Sequence, residues 1–200
     1  AANSQNVGGL LTLLATRDDR TVTFAGTASV FNAVAVQADK GIVAQVAVST
    51  DTGLLHMDGD SDSTNDSDDK LAIAHDVVLT SETVMTLTAS TGGIVPAGKL
   101  TLAADDGVHL ADSMTGAASD KALVINADVD ADGTGTLTVA ATMTVTSNKS
   151  DVTITAYDID MSGSLTAGTK SMSVHGAVAS QTIGVGTAPG TNMQISDTRS

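Results

Sequence analysis

Short stretches in which apolar residues alternate with threonine recur along the chain and constrain its fold more than any other feature. Val, Leu, Ile or Met takes every second position, and each stretch ends at Asp, Gly or Ser, as in TVTFAG from Thr21, GTLTVAATMTVTS from Gly135 and DVTITAYDIDMSG from Asp151. Alternation with a period of two predicts strands with one buried face. The segments between the stretches rarely suffice for helical crossovers, so the sequence predicts an all-β protein.

The composition indicates a narrow core of aliphatic side chains. Of the 200 residues 42% are apolar, yet only Phe24, Phe31 and Tyr157 are aromatic and Trp is absent. Thr occurs 29 times, and it favours strands, whereas the good helix formers are scarce. Small aliphatic side chains suit the stacked ladders inside a β-solenoid. We therefore expect a single solenoid block over residues 1–200. An array of Ig-like β-sandwiches is the alternative, disfavoured because a core Trp and a regular strand spacing are missing.

Internal similarity at long range supports a repetitive architecture. Aligning the segment from Leu54 with the segment from Ala122 places Asp60 on Asp128, and the LTL of Leu11 resembles the LTL of Leu100. The alignments indicate a repeat of roughly 65 to 90 residues. They predict that the Asp60 and Asp128 turns project from the same side of the molecule. The residues that we expect to face the core include Leu100, Leu102, Val108, Leu110, Leu137, Val139, Ile154 and Met172.

Three of these stretches resemble the repeats of a family of very large surface proteins. They are LTLAADDGVHL from Leu100, GTLTVAATMTVTS from Gly135 and QTIGVGTAPGTNMQISD from Gln181. Filamentous-haemagglutinin-like proteins similarly alternate LTL-type strands with TIGLG- and ISD-type segments, and the resemblance covers most of residues 10–197. It implies a right-handed parallel β-helix in an extracellular adhesive or structural fibre, without catalytic residues. The chain departs from this pattern in an acidic insertion at residues 58–69.

Charge and cysteine content argue against several classes of function. The formal net charge is −14 with nine dispersed Lys and Arg residues, which opposes binding to nucleic acid or to anionic membranes. The chain has no Cys, and therefore neither disulfides nor thiolate metal sites. No apolar run approaches the roughly 18 residues of a membrane span.

The acidic insertion resembles a calcium-binding loop. Counted from Asp58, carboxylates stand at positions 1, 3, 5, 9 and 12, which are Asp58, Asp60, Asp62, Asp66 and Asp69. Alternate carboxylates on a tight turn converge on one hard cation, although Ser63 replaces the usual glycine and Asp69 the usual glutamate. A second turn offers Asp128, Asp130 and Asp132 followed by Gly133. We expect either weak Ca²⁺ binding at one or both turns, or solvated acidic turns that keep the protein soluble.

The remaining motifs are weaker indications. GVGTAPG from Gly184 resembles a phosphate-binding loop, but no helix pattern follows it. The four histidines have no paired spacing and are expected at the surface or in side-chain ladders. Asn65 and Asn148 begin glycosylation triplets.

Together these features favour a non-catalytic structural or adhesive fibre module at the cell surface. We expect it to self-associate end to end into filaments, with surface or matrix glycans or proteins as further partners. A carbohydrate-active β-helix enzyme, such as a tailspike-like depolymerase, is the alternative. Such an enzyme needs aromatic platforms and basic residues beside its acids, whereas three aromatics are present here and Lys and Arg do not gather at the Asp turns in the sequence.

Overall fold

The computed structural model describes residues 4–65, 68–188 and 190–195, which form strands and turns with one short 3₁₀ turn at Ser4–Asn6. Sheet A contains, in spatial order, β1 (Leu10–Ala15), β4 (Ala33–Ala38), β7 (Leu55–Asp58), β10 (Met85–Thr88), β13 (Gly107–Leu110), β16 (Thr136–Val139) and β19 (Asp158–Met161). Sheet B contains β2 (Val22–Phe24), β5 (Ile42–Ala44), β8 (Leu71–Ile73), β11 (Ile94–Pro96), β14 (Met114–Thr115), β17 (Thr144–Thr146) and β20 (Ser164–Thr166).

Sheet C completes the stack with β3 (Ser29–Phe31), β6 (Val48–Thr50), β9 (Val77–Ser81), β12 (Leu100–Ala104), β15 (Leu123–Asn126), β18 (Val152–Ala156) and β21 (Met172–Gly176). A separate pair, β22 (Ile183–Val185) and β23 (Met193–Ile195), follows the last of these strands. The chain visits sheets A, B and C in turn, so seven coils of three strands each are stacked on one another.

All strand pairs in the three large sheets are parallel. This confirms the expected parallel β-helix. It also shows that the alternative of Ig-like sandwiches is wrong, because those sandwiches are built from antiparallel sheets joined by Greek-key connections. Among the described residues no helix is long and apolar enough to cross a membrane.

The coil, rather than the longer unit inferred from sequence, is the structural repeat. One column of sheet A pairs Leu11 with Val34, Val34 with Leu55, Leu55 with Met85, Met85 with Val108, Val108 with Leu137 and Leu137 with Ile159. Most coils therefore advance the chain by 21 to 23 residues. The third and fifth coils need 30 and 29.

The repeat of roughly 65 to 90 residues is therefore wrong. The alignment places β7 of sheet A on β15 of sheet C, and likewise β1 on β12. The three sheets are the three sides of a triangular stack, so the alignment matches strands that belong to different sides. Strands of all three sheets have the same alternating pattern, and a comparison of patterns cannot tell one sheet from another. The similarity lies between strands and not between coils.

The core is a set of aliphatic columns along the axis of the stack. Most residues predicted to face inward are buried: Leu100, Leu102, Val108, Leu110, Leu137, Val139 and Ile154. The exception is Met172, which is in register with the buried Val152 but is 42% exposed because it belongs to the seventh coil at the end of the stack. Phe24 and Phe31 pack edge to face in the first coil, with ring centroids 6.2 Å apart.

Candidate functional site

The two long coils owe their extra residues to the two acidic turns that sequence analysis singled out. We name the corners of the triangle by the sheets that they join. The third coil is expanded between β7 and β8, at the A–B corner, and the fifth between β15 and β16, at the C–A corner. The two turns therefore project from different edges of the solenoid, and the prediction that they share one side is wrong.

At the C–A corner the chain gathers three carboxylates on one short loop. Asp128, Asp130 and Asp132 each place an oxygen within 4.8 Å of the others, so this cluster could hold a metal ion. Asp128 is buried, whereas Asp130 and Asp132 are exposed. The buried member anchors the group to the solenoid while the other two reach solvent, which gives an ion a route to the cluster.

Backbone hydrogen bonds give this loop its shape. The Asp128 carboxylate accepts the backbone N–H groups of Asp132 at 3.2 Å and Gly133 at 3.3 Å. The Asp132 carboxylate accepts the N–H of Thr134 at 3.0 Å and its hydroxyl at 2.7 Å. Ala131 and Gly133 have φ angles of 57° and 89°, so the chain turns sharply between the acidic residues. The Tyr157 ring of the next coil lies against Gly133.

The electrostatic environment of the C–A corner favours a cation. Burial, followed by the hydrogen bond with Asp130, raises the pKa of Asp128 above its ordinary value. Burial also raises the pKa of Asp105 in the preceding coil, with the negative charges of Glu82 and Asp130 as further causes. Carboxylates on three successive coils thus repel one another here, and a bound cation would offset that repulsion.

At the A–B corner the acidic residues separate into buried and exposed groups. Asp60 and Asp69 are 2% and 3% exposed and lie near each other, because each has an oxygen within hydrogen-bonding distance of the Thr91 hydroxyl. Asp58 is half-buried and accepts the N–H of Asp60 at 3.2 Å, while Asp62 is exposed. Asp66 lies outside the described residues. The described carboxylates of this insertion therefore occupy distinct environments along the turn.

Asp62 belongs to a carboxyl pair that sequence analysis missed. Its partner is Asp39, which directly follows β4 in the second coil. Burial raises the pKa of Asp39, and the nearby charge of Asp62 raises it further. The pKa of Asp62 is lowered, chiefly because its carboxylate accepts the N–H and hydroxyl of Thr64 and secondarily through its hydrogen bond with Asp39. Within this pair the pKa of Asp39 is thus raised and the pKa of Asp62 is lowered. Nothing in the segment around Asp39 indicates its burial.

Basic residues do stand at the A–B corner, contrary to the sequence-based expectation. The Lys70 ammonium lies 2.8 Å from Asp68, and the Lys40 ammonium pairs with Asp19 of the preceding coil. Each of these two lysines thus forms an ion pair with an exposed carboxylate of this corner. Two further ion pairs, Lys99 with Asp76 at 2.9 Å and Lys170 with Asp120 at 2.5 Å, lie at the B–C corner.

Three of the histidines and the start of the glycine-rich segment lie in or beside strands. His56 and His109 stand on sheet A, each in register with Thr86, and His75 accepts the N–H of Lys99 at 3.0 Å. The GVGTAPG segment begins within β22.

Comparison of the chain with protein-family models, curated proteins and solved structures found no match.

Proposed function

We propose that this chain is a non-catalytic structural module of an extracellular fibre, in which coils continue from one module into the next. The observation that carries the proposal is the edge strand β1, with the sequence LLTLLA. It pairs with β4 on one side, and no strand of the described chain pairs with its other side. An apolar edge strand with free backbone donors and acceptors is a template for another strand.

The inward columns support continuation at both ends of the stack. Leu11 and Leu13 are in register with the fully buried Val34 and Val36 of the second coil but are themselves only half-buried. At the opposite end Met172 and Val174 are partly exposed although they continue buried columns of sheet C. A further coil stacked on the first would bury Leu11 and Leu13, whether it comes from the same chain or from another copy. At the opposite end β23 already contacts β19 of sheet A, so a docking coil would cover the exposed strand β21 of sheet C.

A charge placed inside the edge strand tests end-to-end assembly. The substitution Leu13→Lys places a positively charged side chain on β1, at the end of the stack that a docking coil would cover. We expect sedimentation velocity to show concentration-dependent elongated species for the native sequence and monomers for Leu13→Lys. Val78→Lys is the matched control, since Val78 is 39% exposed on a central strand and carries the same charge to the side of the solenoid.

Two outcomes would contradict assembly through the coil ends. One is a compact monomer of the native chain at high concentration, and the other is equal loss of assembly in both variants. Circular dichroism before and after heating shows whether each variant has kept its β structure.

The fibre proposal includes a calcium ion at Asp128, Asp130 and Asp132. Hard oxygen ligands suit Ca²⁺, and extracellular modules bind it with dissociation constants of about 10⁻⁴ to 10⁻³ M. At such concentrations binding adds about 1 kcal/mol of stability. The ion would stiffen the expanded C–A corner at the surface, where glycans or proteins of a cell surface or matrix are the proposed adhesion partners.

Tyr157 provides a local measurement of this ion. It is the only tyrosine in a chain without Trp, and its ring lies against Gly133 of the acidic loop. We expect Tb³⁺ to show tyrosine-sensitised emission, to be displaced by Ca²⁺, and to lose that emission in Asp130→Asn. Asp18→Asn removes one exposed charge elsewhere and should leave the emission unchanged. Emission that persists in Asp130→Asn would exclude this site.

A further inference from the structure

The A–B corner holds a buried carboxylate oxygen whose hydrogen-bonding capacity the described protein leaves unused. Asp60 is only 2% exposed to solvent. Its Oδ2 accepts the backbone N–H and the hydroxyl of Thr91, each at 2.8 Å. Its Oδ1 is buried and has no hydrogen-bond partner among the described residues. A buried anionic oxygen without a partner is costly, and therefore indicates a ligand that the protein groups do not supply.

A second buried carboxylate stands at the same point. Asp69 is 3% exposed, and its Oδ2 lies 3.2 Å from the Thr91 hydroxyl that also contacts Asp60. One hydroxyl carries one proton, so Thr91 can donate to only one of the two carboxylates at a time. Two buried acidic groups thus lie beside the same hydroxyl. Repulsion between negative charges is stronger in a buried site than in water, because the effective dielectric constant is lower.

The backbone around these groups is closely packed. A side chain at Gly92 would overlap the backbone carbonyl of Asp69, and one at Gly59 would come within 2.9 Å of the Lys70 backbone. Gly41 of the preceding coil likewise approaches the carbonyl of Asp68. Three coils therefore close on the two ends of the acidic turn through glycine. This packing holds Asp60 and Asp69 in place before any ligand binds.

The neighbouring ammonium groups pair with exposed carboxylates. Lys70 lies 2.8 Å from Asp68, and Lys40 pairs with Asp19. A small divalent cation would bring two positive charges to the buried pair and occupy the unused oxygen of Asp60. Ca²⁺ fits this environment better than Mg²⁺, since Ca²⁺ accepts irregular oxygen geometry whereas Mg²⁺ retains several water molecules.

We propose that Asp60 and Asp69 bind a buried Ca²⁺ ion that ties the acidic turn of the third coil to Thr91 of the fourth. This site is independent of fibre assembly and of the exposed cluster at Asp128. The ligand atoms are carboxylate oxygens of Asp60 and Asp69, and Thr91 orients the first of them. Its role is structural, because it joins three coils at one corner.

The test uses the full chain carrying Asp130→Asn, so that the cluster at the C–A corner is disabled. The metal-stripped protein is melted with and without millimolar CaCl₂. We expect the melting temperature of this parent to rise with calcium. The rise should disappear when Asp60→Asn or Asp69→Asn is added. It should persist with Asp68→Asn, which changes an exposed neighbour in the same turn.

The variants remain informative even if calcium has no effect on them. Asparagine is close to aspartate in size and removes a buried charge, so Asp60→Asn should be at least as stable as its parent in the metal-free state. No calcium response in the Asp130→Asn parent, or an equal response after Asp60→Asn, would overturn the buried site. Replacing CaCl₂ with MgCl₂ should give a smaller shift, and an equal one would contradict selectivity for calcium. Failure of the exposed site appears separately, as absence of Tyr157-sensitised Tb³⁺ emission.

Discussion

At the scale of single residues, position within the stack decides what a side chain contributes. Leu102 and Met172 both face inward on sheet C, but Leu102 is fully buried between neighbouring coils whereas Met172 is 42% exposed at the end of its column. Alternation identifies the inward face of each strand correctly in both cases. It cannot show whether another coil covers that face, because the covering residues belong to a separate turn of the chain.

The difference between these two residues gives a prediction for stability. Leu102→Ala should lower the free energy of unfolding by about 2–5 kcal/mol, since it removes buried methyl groups and leaves a cavity. Met172→Ala should cost much less, because its side chain is already partly in water. Urea denaturation followed by circular dichroism measures both values, at a concentration where the native chain is monomeric. Equal losses would mean that the seventh coil is covered in solution.

Burial of acidic residues predicts a specific dependence on pH. The pKa values of Asp39, Asp105 and Asp128 are raised, chiefly by burial, so these groups hold protons more tightly in the folded than in the unfolded chain. Metal-free protein should therefore become more stable as the pH falls from neutrality through their folded pKa values. The gain in stability is complete once the pH has fallen below 3.8, the ordinary pKa of Asp, because the unfolded chain then also binds these protons.

Exposed carboxylates with lowered pKa values act in the opposite direction at more acidic pH. Hydrogen bonds from lysines are the main cause of the lowered pKa values of Asp19, Asp76 and Asp120; the donors are Lys40, Lys99 and Lys170, respectively. These ion pairs stabilise the folded chain above the ordinary pKa of 3.8, and that stabilisation is lost as the pH falls below it. Melting temperature against pH should thus pass through a maximum. Asp128→Asn should reduce the rise on its neutral side more than Asp18→Asn does, and equal effects would indicate general charge repulsion alone.

At the scale of elements, the coil accommodates insertions only at its corners. In the fifth coil the loop between β15 and β16 spans nine residues, from 127 to 135, whereas residues 105–106 suffice at the same corner of the fourth coil. The strands on either side keep their register with neighbouring coils despite this difference. Long surface insertions of this kind have a small entropic cost, which explains why they occur without disturbing the core.

Deleting residues 129–134 should consequently leave the solenoid intact. Residues 127, 128 and 135 would then form the corner, and Ile125 would precede Thr136 by the same five positions that separate their partners Leu102 and Gly107. We expect an unchanged far-UV circular dichroism spectrum, a cooperative melt and complete loss of Tyr157-sensitised Tb³⁺ emission. Loss of β structure would show that the loop is needed for stacking rather than only for binding.

At the scale of the whole molecule, stability is distributed along a linear stack. Each coil contacts mainly the coils before and after it, so internal coils are covered on two sides. The first coil is covered by the second alone, and the outer side of the seventh is covered in part, where β23 contacts β19 and buries Met193. Amide hydrogen exchange should therefore be slowest in β7, β10 and β13 and faster in β1 and β21. Exchange measured by mass spectrometry tests this order, and uniform protection would indicate a single cooperative unit or ends covered by association.

The all-β class, the inward face of most strands and the two acidic expansions could be predicted from the amino-acid sequence. These properties depend on local alternation and turn chemistry, which a single strand or turn displays alone. The coil length, the corner to which each acidic turn belongs, and the burial of Asp60 and Asp69 beside exposed Asp62 and Asp68 became known only from the folded chain. These depend on paired residues that lie 19 to 31 positions apart along the chain, and strands of sheets A, B and C have the same pattern. Stacking of coils, and not the pattern within any one of them, places buried carboxylates beside Thr91.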